Sequence, residues 1–366
     1  MKRNYFVSIG IVLLCVAVVG GMSFSKRPPR DTQEAHVDTP TFLDNALSTI
    51  TPSKVDTDVS YIPPVSSLHM NIRDHSWIAT LSGDRVRTLV ATGDVIPARA
   101  VNVETIKHND FTWGWRNIAT LLRQADLSLI NLEAPLIIGC PQVTSGFQFC
   151  GDTRHIEGLV HAGVDVANLA NNHAGNYGIS GLIGTKSLLS TAKIDVVGMG
   201  MPVIRDIDGI RFGFLGYNDI GGGIEGIASA SAAYISRDIR EIRSRADIVV
   251  VSFHWGVEYE ATPSARQVQL AHAAIDEGAD LIIGNHPHWV QSAEVYKGKW
   301  ITYAHGNTIF DQMWSDETRI GVIGTYVFYD TAFIDVSFTP IKIDNYGQPR
   351  LAPELQTFVE NRLLGK

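Results

Sequence analysis

Two histidines flank a proline in the segment LIIGNHPHWVQ, residues 281 to 291, directly after an apolar run. His286 and His288 are candidate metal ligands, because imidazole nitrogen is a common ligand of divalent transition metals. Pro287 between them favours an extended local backbone. In an extended segment, residues i and i+2 point to the same side. The spacing therefore predicts two imidazoles presented to one site.

Other polar residues share this position at the end of an apolar run. They are Asp94, Asn131, Glu133, Asn172, His173, His254 and Asn307. In open α/β sheets, ligands bind at the carboxyl ends of the strands, so these side chains are predicted to converge. Carboxylates can bridge two cations, while imidazole nitrogens and amide oxygens complete each coordination shell. This mixture is what a dinuclear metal site requires, and two such cations can hold a phosphate between them.

Each of these residues also has an ordinary structural interpretation. Asp94 could cap a helix, Asn172 could satisfy a turn, and Glu133 could be a solvated loop acid. His173 and His254 could be hydrogen-bonded core histidines, and Asn131 and Asn307 could brace loops. The order of the motifs along the chain is more specific than any one of them.

The elements that must position these residues alternate between strands and helices. Short β-branched runs such as RTLVATGDV, ADIVVVSFHWG and ADLIIGNHPH indicate strands, and SARQVQLAHAAIDEGA has a helical pattern. This alternation predicts an α/β fold. The run TYVFYDTAFIDVSFTPIKID alternates like antiparallel strands. We expect a globular domain from about residue 86 to 345 and a C-terminal tail from 346 to 366.

The chain resembles the CapA (PgsA) family of bacterial capsule synthesis proteins, which are linked to poly-γ-glutamate. The motifs that carry the resemblance lie between about residues 89 and 314: GDVIPAR, INLEAP, NLANNHAGNYG, VVSFHWGVEYE, RQVQLAHAAIDEGADLIIGNHPHWVQ and YAHGNTIFDQ. The resemblance implies a calcineurin-like metallophosphatase fold, with two β-sheets sandwiched by helices in four αββα layers. It also implies a membrane anchor and one or two divalent cations, Mn, Zn or Fe.

The resemblance assigns roles residue by residue. Glu133 stands where a bridging carboxylate is expected, and His173 matches a general acid near a phosphate. Arg99 matches an arginine that contacts an anionic substrate group, and we group Asn131 and Asn307 with it as substrate-binding candidates. The implied metal ligands are Asp94, Glu133, Asn172, His254, His286 and His288.

The chain departs from the metallophosphatase pattern at several positions. A typical member has a histidine two places after the first aspartate, whereas Ile96 stands there. One cation would therefore lack a ligand. Glu133 replaces the usual aspartate, which changes the reach by one methylene, and Asn285 stands where many relatives have another histidine.

The N-terminal segment is predicted to lie outside the globular domain. Residues 5 to 24 are uncharged and mostly apolar, close to the roughly 20 residues that a helix needs to cross a bilayer. A cleaved signal peptide is the alternative, but the run is longer than its usual apolar region, which favours an uncleaved anchor. Residues 1 to 4 would be a short cytoplasmic start, and the Pro-, Thr- and Ser-rich residues 25 to 85 a stalk.

Cysteine usage and charge limit the compartment and the partners. Cys140 and Cys150 lie at the ends of a short Gly- and Pro-containing loop, which suits a disulfide outside the cytoplasm; two unpaired thiols are the alternative. The formal net charge is -8 and no basic stripe is present, so nucleic acid is not expected as a partner.

Three functions are consistent with these residues. The first is a membrane-anchored capsule protein that assists synthesis, export or attachment of an anionic polymer such as poly-γ-glutamate, together with other polymer synthesis subunits. The second is a stand-alone metal-dependent phosphoesterase acting on envelope phosphate esters. The third is a non-catalytic polymer-binding subunit. Intact metal ligands favour the first two, and the missing histidine at position 96 favours the third.

Overall fold

The computed structural model describes residues 75–366, and these residues form an α/β fold. The predicted cytoplasmic start, the anchor at residues 5 to 24 and most of the stalk lie outside the described residues. From residue 75 onward, no helix is both long and apolar enough to span a bilayer.

Sixteen strands and eight α-helices are present in this part of the chain. The strands are β1 Val86–Val95, β2 Leu127–Leu132, β3 Leu136–Ile137, β4 Gly151–Asp152, β5 Val166–Asn168, β6 Asp195–Val197, β7 Val203–Ile207, β8 Ile210–Asn218, β9 Ile248–His254, β10 Leu281–Asn285, β11 Ala293–Tyr296, β12 Lys299–Thr302, β13 Asn307–Ile309, β14 Ile320–Tyr329, β15 Ala332–Asp344 and β16 Gln348–Leu351. The helices are α1 Ala100–His108, α2 Ala119–Gln124, α3 His155–Ala162, α4 Gly178–Thr191, α5 Ala232–Arg243, α6 Ala265–Asp276, α7 Asp316–Arg319 and α8 Gln356–Leu363.

The strands form two large sheets and one small one. The first sheet has the order β16-β15-β14-β1-β2-β5-β6, with β13 also paired to β1. The second has the order β11-β12-β10-β9-β8-β7, and β3 pairs with β4. β1, β2, β5 and β6 are parallel neighbours, as are β8, β9 and β10. Their carboxyl ends therefore meet at one edge of each sheet.

Three apolar clusters show how the layers are stacked. One cluster joins the facing sides of the two sheets through residues such as Leu129, Phe214 and Trp300. A second covers the outer face of the first sheet with α2, α3 and α4. A third covers the outer face of the second sheet with α5 and α6. The predicted α/β class and the helix–sheet–sheet–helix sandwich are confirmed.

The segments on either side of the predicted domain also belong to the fold. Trp77, Ile78 and Leu81, which we expected in the stalk, pack against an apolar cluster on β14 and β15. Residues 346 to 366, which we expected as a tail, form β16 and α8 instead. β16 pairs with β15, and Val359 and Leu363 are fully buried in the core between the sheets. Helix α8 is too short for its apolar spacing to predict this burial from sequence.

Helix α6 shows how local sequence defines an element that supports the second sheet. Ser264 caps its N-terminus by accepting from the backbone of Gln267, and the Gln267 side chain accepts in return from the Ser264 backbone. This reciprocal pair satisfies two backbone donors that a helix end leaves open. The buried face of α6 then packs on the second sheet through Leu270 and Ala274.

Gly93 permits the close approach that places Asp94. A Cβ atom at Gly93 would lie 2.0 Å from the carbonyl oxygen of Gly306, and this same oxygen accepts a hydrogen bond from Asp94 N at 2.9 Å. We expect Gly93→Ala to force β1 away from Gly306 and to lower the free energy of unfolding by about 1–3 kcal/mol or more. Chemical denaturation measures this change. Gly83→Ala is the control, because nothing lies within 4 Å of a Cβ there; equal effects of the two variants would contradict the prediction.

Candidate metal centre

The carboxyl ends of four strands bring the predicted ligands together. Asp94 lies opposite Asn131 across β1 and β2, and His254 lies opposite Asn285 across β9 and β10. Glu133 follows β2 directly. The carboxylates of Asp94 and Glu133 and the ring of His254 are completely buried. The two sheets thus meet at a buried cluster of polar side chains.

The donor atoms of this cluster fall into overlapping groups of three. The ligand atoms of Glu133, His254 and His286 lie within 4.8 Å of one another, and so do those of Asp94, Glu133 and His288. Glu133 is common to both groups, which is the position that the resemblance gives to a bridging carboxylate. Two cations with one shared ligand could be held by such an arrangement.

The His286–His288 segment reaches the cluster by a different backbone path from the one we predicted. β10 ends at Asn285, and both histidines have a positive φ, 99° at His286 and 58° at His288. The expectation of an extended segment was therefore wrong. Side chains other than glycine rarely adopt this region, and such strain persists where surrounding contacts impose it. Here His286 N donates to both carboxylate oxygens of Asp94, at 3.3 and 3.2 Å.

His288 and Asp94 form a buried ion pair. Nδ1 of His288 donates to Asp94 Oδ2 at 3.1 Å and to Asn307 Oδ1 at 2.9 Å. Burial lowers the pKa of His288, but the hydrogen bond to Asp94 and the charge of Glu133 outweigh it and raise the pKa to about 9. Burial and the charge of Asp94 raise the pKa of Glu133 well above its ordinary value. Two carboxylates buried together thus require positive charge, and the His288 proton supplies it.

His254 is held between two amides. Asn131 Nδ2 donates to His254 Nδ1 at 3.2 Å, and His254 Nε2 donates to Asn172 Oδ1 at 2.7 Å. Burial lowers the pKa of His254 to about 3, so the ring is neutral. A neutral imidazole is the form that binds a metal. The proton on Nε2 lies between His254 and Asn172, both of which the resemblance identifies as metal ligands.

The donor set of the cluster fits a divalent cation. Glu133 Oε1 and His286 Nδ1 are buried and make no hydrogen bond in the described structure. Buried polar atoms without a partner are rare and call for an explanation such as a missing ion. Two carboxylates, three imidazoles and the Asn172 amide are suitable donors for Mn, Zn or Fe, although they do not select one of them.

His173 lies at the edge of the cluster in a fixed orientation. Asn176 Oδ1 accepts from the backbone of Phe149 at 2.7 Å and pairs with His173 Nδ1 at 3.0 Å, so Nδ1 carries the proton. The ring of Phe149 stacks on His173 with centroids 4.0 Å apart. Burial lowers the pKa of His173 to about 4. Nε2 is therefore the nitrogen that can exchange a proton with a ligand.

Arg99 and the two predicted substrate amides lie in different surroundings from those we expected. Arg99 forms a buried ion pair with Asp311 and packs on the rings of Phe149 and Phe310, each 4.9 Å from its guanidinium carbon. Its charge is neutralised within the protein. Asn131 and Asn307 are almost completely buried, and their amides bond to metal-ligand candidates. These contacts orient the ligands, a role that supporting residues of metal sites commonly have.

Comparison with known proteins identifies the family. The bacterial capsule synthesis protein PGA_cap family matches residues 88–312, which is more than half of the chain. The chain belongs to the PGA_cap family. Within that match lie all six predicted metal ligands and His173.

Two relatives of this PGA_cap chain carry the name CapA in different Bacillus species. It is 31% identical over 300 residues to the capsule biosynthesis protein CapA of Bacillus anthracis, covering 75% of this chain and 71% of the relative. It is also 31% identical over 300 residues to the PGA biosynthesis protein CapA of Bacillus subtilis strain 168, covering 74% and 78%. A solved structure of a novel phosphatase from Mycoplasma pneumoniae superposes with a TM-score of 0.48 at 13% identity, covering 72% of this chain and 95% of the other.

A disulfide-closed loop forms one wall beside His173 in this PGA_cap chain. Cys140 and Cys150 are bonded, with Cα atoms 5.8 Å apart. Phe149, next to Cys150, is the residue that stacks on His173. Arg99 also donates to the carbonyl of Gly146 at 3.1 Å, inside the same loop. The disulfide closes the loop, and the contacts of Phe149 and Gly146 hold the loop against the site.

Sequence reasoning missed two polar residues of this PGA_cap site. Asn171 Nδ2 donates to Asn131 Oδ1 and to Leu132 O, and its Oδ1 accepts from the backbone of His173 and Ala174. Glu258 places its carboxylate near the two histidines of the HPH segment. The doubled asparagine in NLANNH was a signal for the first. The second follows His254 by four residues, within the motif VVSFHWGVEYE.

Proposed function

We propose that this chain acts in the synthesis of an anionic capsule polymer such as poly-γ-glutamate, and that a divalent-cation site at the strand ends is needed for this role. Membership of the capsule synthesis family supports the first part. The convergence of Asp94, Glu133, His254, His286 and His288 on a buried cluster with unpartnered donor atoms supports the second.

The residues of the cluster have separate tasks in this proposal. Asp94, Glu133 and the histidines hold the cation, while Asn131 and Asn307 fix the ligand orientations. A bound divalent cation supplies Lewis acidity and positive charge for an anionic substrate group. His173 stands beside the cluster with Nε2 available, and the Phe149 ring shields one of its faces from water.

The proposal includes a membrane location. Residues 5 to 24 anchor the chain, the globular domain lies outside the cytoplasm, and other capsule polymer synthesis subunits are its partners. The uncharged N-terminal run supports the anchor. The Cys140–Cys150 disulfide supports the compartment, because structural disulfides persist mainly outside the reducing cytoplasm.

Complementation in the native host tests the proposal. The gene is deleted, and either the full chain, its Glu133→Gln variant or its Glu241→Gln variant is restored. Glu241 is an exposed residue of α5 and serves as the charge-matched control. We expect cell-associated anionic polymer to return with the wild type and Glu241→Gln and to stay at the deletion level with Glu133→Gln.

The two parts of the proposal can fail separately. If deletion leaves the amount of polymer unchanged, the capsule role is wrong. If Glu133→Gln restores normal polymer, the cation site is not needed, and the non-catalytic polymer-binding function becomes the better one.

A second candidate function rests on the surroundings of His173. Its ring lies beside the ligand cluster, with Nδ1 fixed by Asn176 and Nε2 available. In the neutral ring Nε2 can accept a proton, and it becomes a donor once the ring is protonated, a state that the negative charge of a bound phosphate ester would favour. A ring protonated in this way could serve as general acid for the leaving oxygen of that ester. The candidate is therefore a metal-dependent phosphoesterase acting on an envelope phosphate ester.

A further inference from the structure

The cation position built on Asp94 and His288 lacks one protein ligand. The residue two places after Asp94 is Ile96, which is completely buried among Ala98, Ala134 and Phe310. It has no donor atom, and its surroundings are apolar. The carboxylates and imidazoles grouped at this position are those of Asp94, Glu133 and His288, whereas structural zinc sites usually have four ligands.

Glu258 lies where a further ligand could enter. Its carboxylate oxygen and the ring nitrogens of His286 and His288 lie within 4.8 Å of one another. Glu258 is exposed, whereas both histidines are buried, so its carboxylate approaches the cluster from the solvent side. An exposed acid alone would not indicate a site. Here, however, His286 is 4% exposed and its Nδ1 has no hydrogen-bond partner in the described structure.

The loop that carries Glu258 is fastened to the histidine segment. Tyr259 N donates to the carbonyl of Pro287 at 2.8 Å, and Trp255 N donates to the carbonyl of Asn285 at 3.1 Å. Glu258 lies between these two attachments, so its backbone is fixed relative to both histidines. Such fixed placement is what a ligand requires, because metal sites tolerate little error in donor position.

Backbone conformation on both sides of Glu258 supports this placement. Gly256 has φ 89°, and a Cβ atom there would lie 2.5 Å from the side chain of Gln267. Tyr259 has φ 64°, although it is not a glycine. Its hydroxyl accepts from Gln312 Nε2 at 3.0 Å, which holds the ring near His288. Strained residues of this kind collect at functional sites, where surrounding contacts maintain them.

We propose that Glu258 is a metal ligand, which completes the cation position of Asp94 and His288 in place of the histidine that is absent at position 96. This inference rests on the proposed cation site and adds a residue to it. The replacement exchanges a neutral imidazole for a carboxylate. The site then contains three carboxylates. Compared with a site richer in imidazole, it binds harder cations such as Mn²⁺ more favourably.

Metal binding to the full-length chain tests the assignment without an activity assay. Detergent-purified protein is freed of metal with a chelator and titrated with Mn²⁺, and bound and free Mn²⁺ are measured by equilibrium dialysis and electron paramagnetic resonance. The variants are Glu258→Gln and the control Glu260→Gln. Glu260 is exposed and two residues away, so the control removes the same charge from the same loop.

We expect Glu258→Gln to lose one bound Mn²⁺ or to bind one ion at least about 10-fold more weakly, since removing even supporting residues of metal sites costs 10–100-fold. Glu260→Gln should match the wild type. Thermal unfolding of the three metal-free proteins should coincide, because Glu258 is at the surface. Equal stoichiometry and affinity in Glu258→Gln and Glu260→Gln would overturn the assignment and leave the proposed cation site intact. A wild-type chain that binds no Mn²⁺, Zn²⁺ or Fe²⁺ would overturn both.

Discussion

A chain that carries both His286→Ala and His288→Ala is expected to bind divalent cations more than about 100-fold more weakly than the wild type. Each of the three donor groups in the described part of the chain contains at least one of these two histidines. Their removal leaves His254 as the one imidazole beside Asp94 and Glu133 among the predicted ligands. Metal analysis of purified full-length protein and a competition titration measure the loss. The capsule polymer should fall to the level of the gene deletion.

The same double variant is expected to be less stable without metal. His288 is the cationic partner of Asp94, and deleting one member of a buried ion pair typically costs about 3–5 kcal/mol. His286→Gln separates loss of metal from loss of fold, because Nδ1 of His286 makes no hydrogen bond in the described structure. His272→Ala is the control, since this ring stacks on Tyr296 at a partly exposed position. Unchanged metal content in the double variant would show that the cluster is not the metal site.

Apolar run length explains why the strand ends could be predicted. β1, β2, β9 and β10 are buried along almost their whole lengths, so their sequences are mostly apolar and reach a polar ligand candidate or amide close to the carboxyl end. Parallel pairing then places His254 opposite Asn285 and Asp94 opposite Asn131. The distribution of the strands between the two sheets could not be predicted in this way, because an apolar run does not indicate which sheet its strand joins.

The backbone conformation of the HPH segment also could not be predicted from sequence. Proline restricts its own φ and disfavours a helical residue before it, but neither rule predicts the positive φ of His286. Tertiary contacts impose that conformation: His286 N bonds to Asp94, which lies 192 residues earlier in the chain. Glu258 was not predicted as a ligand because an exposed acid in a loop is ordinarily explained by its contact with solvent.

Asn131 and Asn307 show where a residue type predicts the site but not the task. Asn131 lies near the carboxyl end of β2, as predicted, whereas Asn307 is the first residue of β13; both belong to the cluster. Their amides, however, bond to Asp94 and His288 and are shielded from solvent. An amide that orients a ligand and one that contacts a substrate have the same sequence signature, and only burial distinguishes them.

The adjacent residues Asn172 and His173 should have separable effects if the site hydrolyses a phosphate ester. His173→Ala is expected to reduce turnover by about 10²–10⁴-fold, the usual contribution of a general acid, while metal content stays nearly constant. Asn172→Ala should instead weaken metal binding, because Asn172 Oδ1 lies 2.7 Å from Nε2 of the ligand candidate His254. Phosphate-ester hydrolysis and metal content are measured on the same preparations, with the exposed His161→Ala as control.

The surroundings of His173 leave one ring nitrogen accessible to a substrate. Asn176 fixes Nδ1 and Phe149 covers one face of the ring, so the only nitrogen left for a substrate is Nε2. A turn that merely needs the NNH sequence would lose stability in both variants and would not separate turnover from metal content. If His173→Ala supports normal polymer production in cells, the histidine is not the proton donor. The chain would then act on its polymer by binding alone, with the cation held for charge and not for hydrolysis.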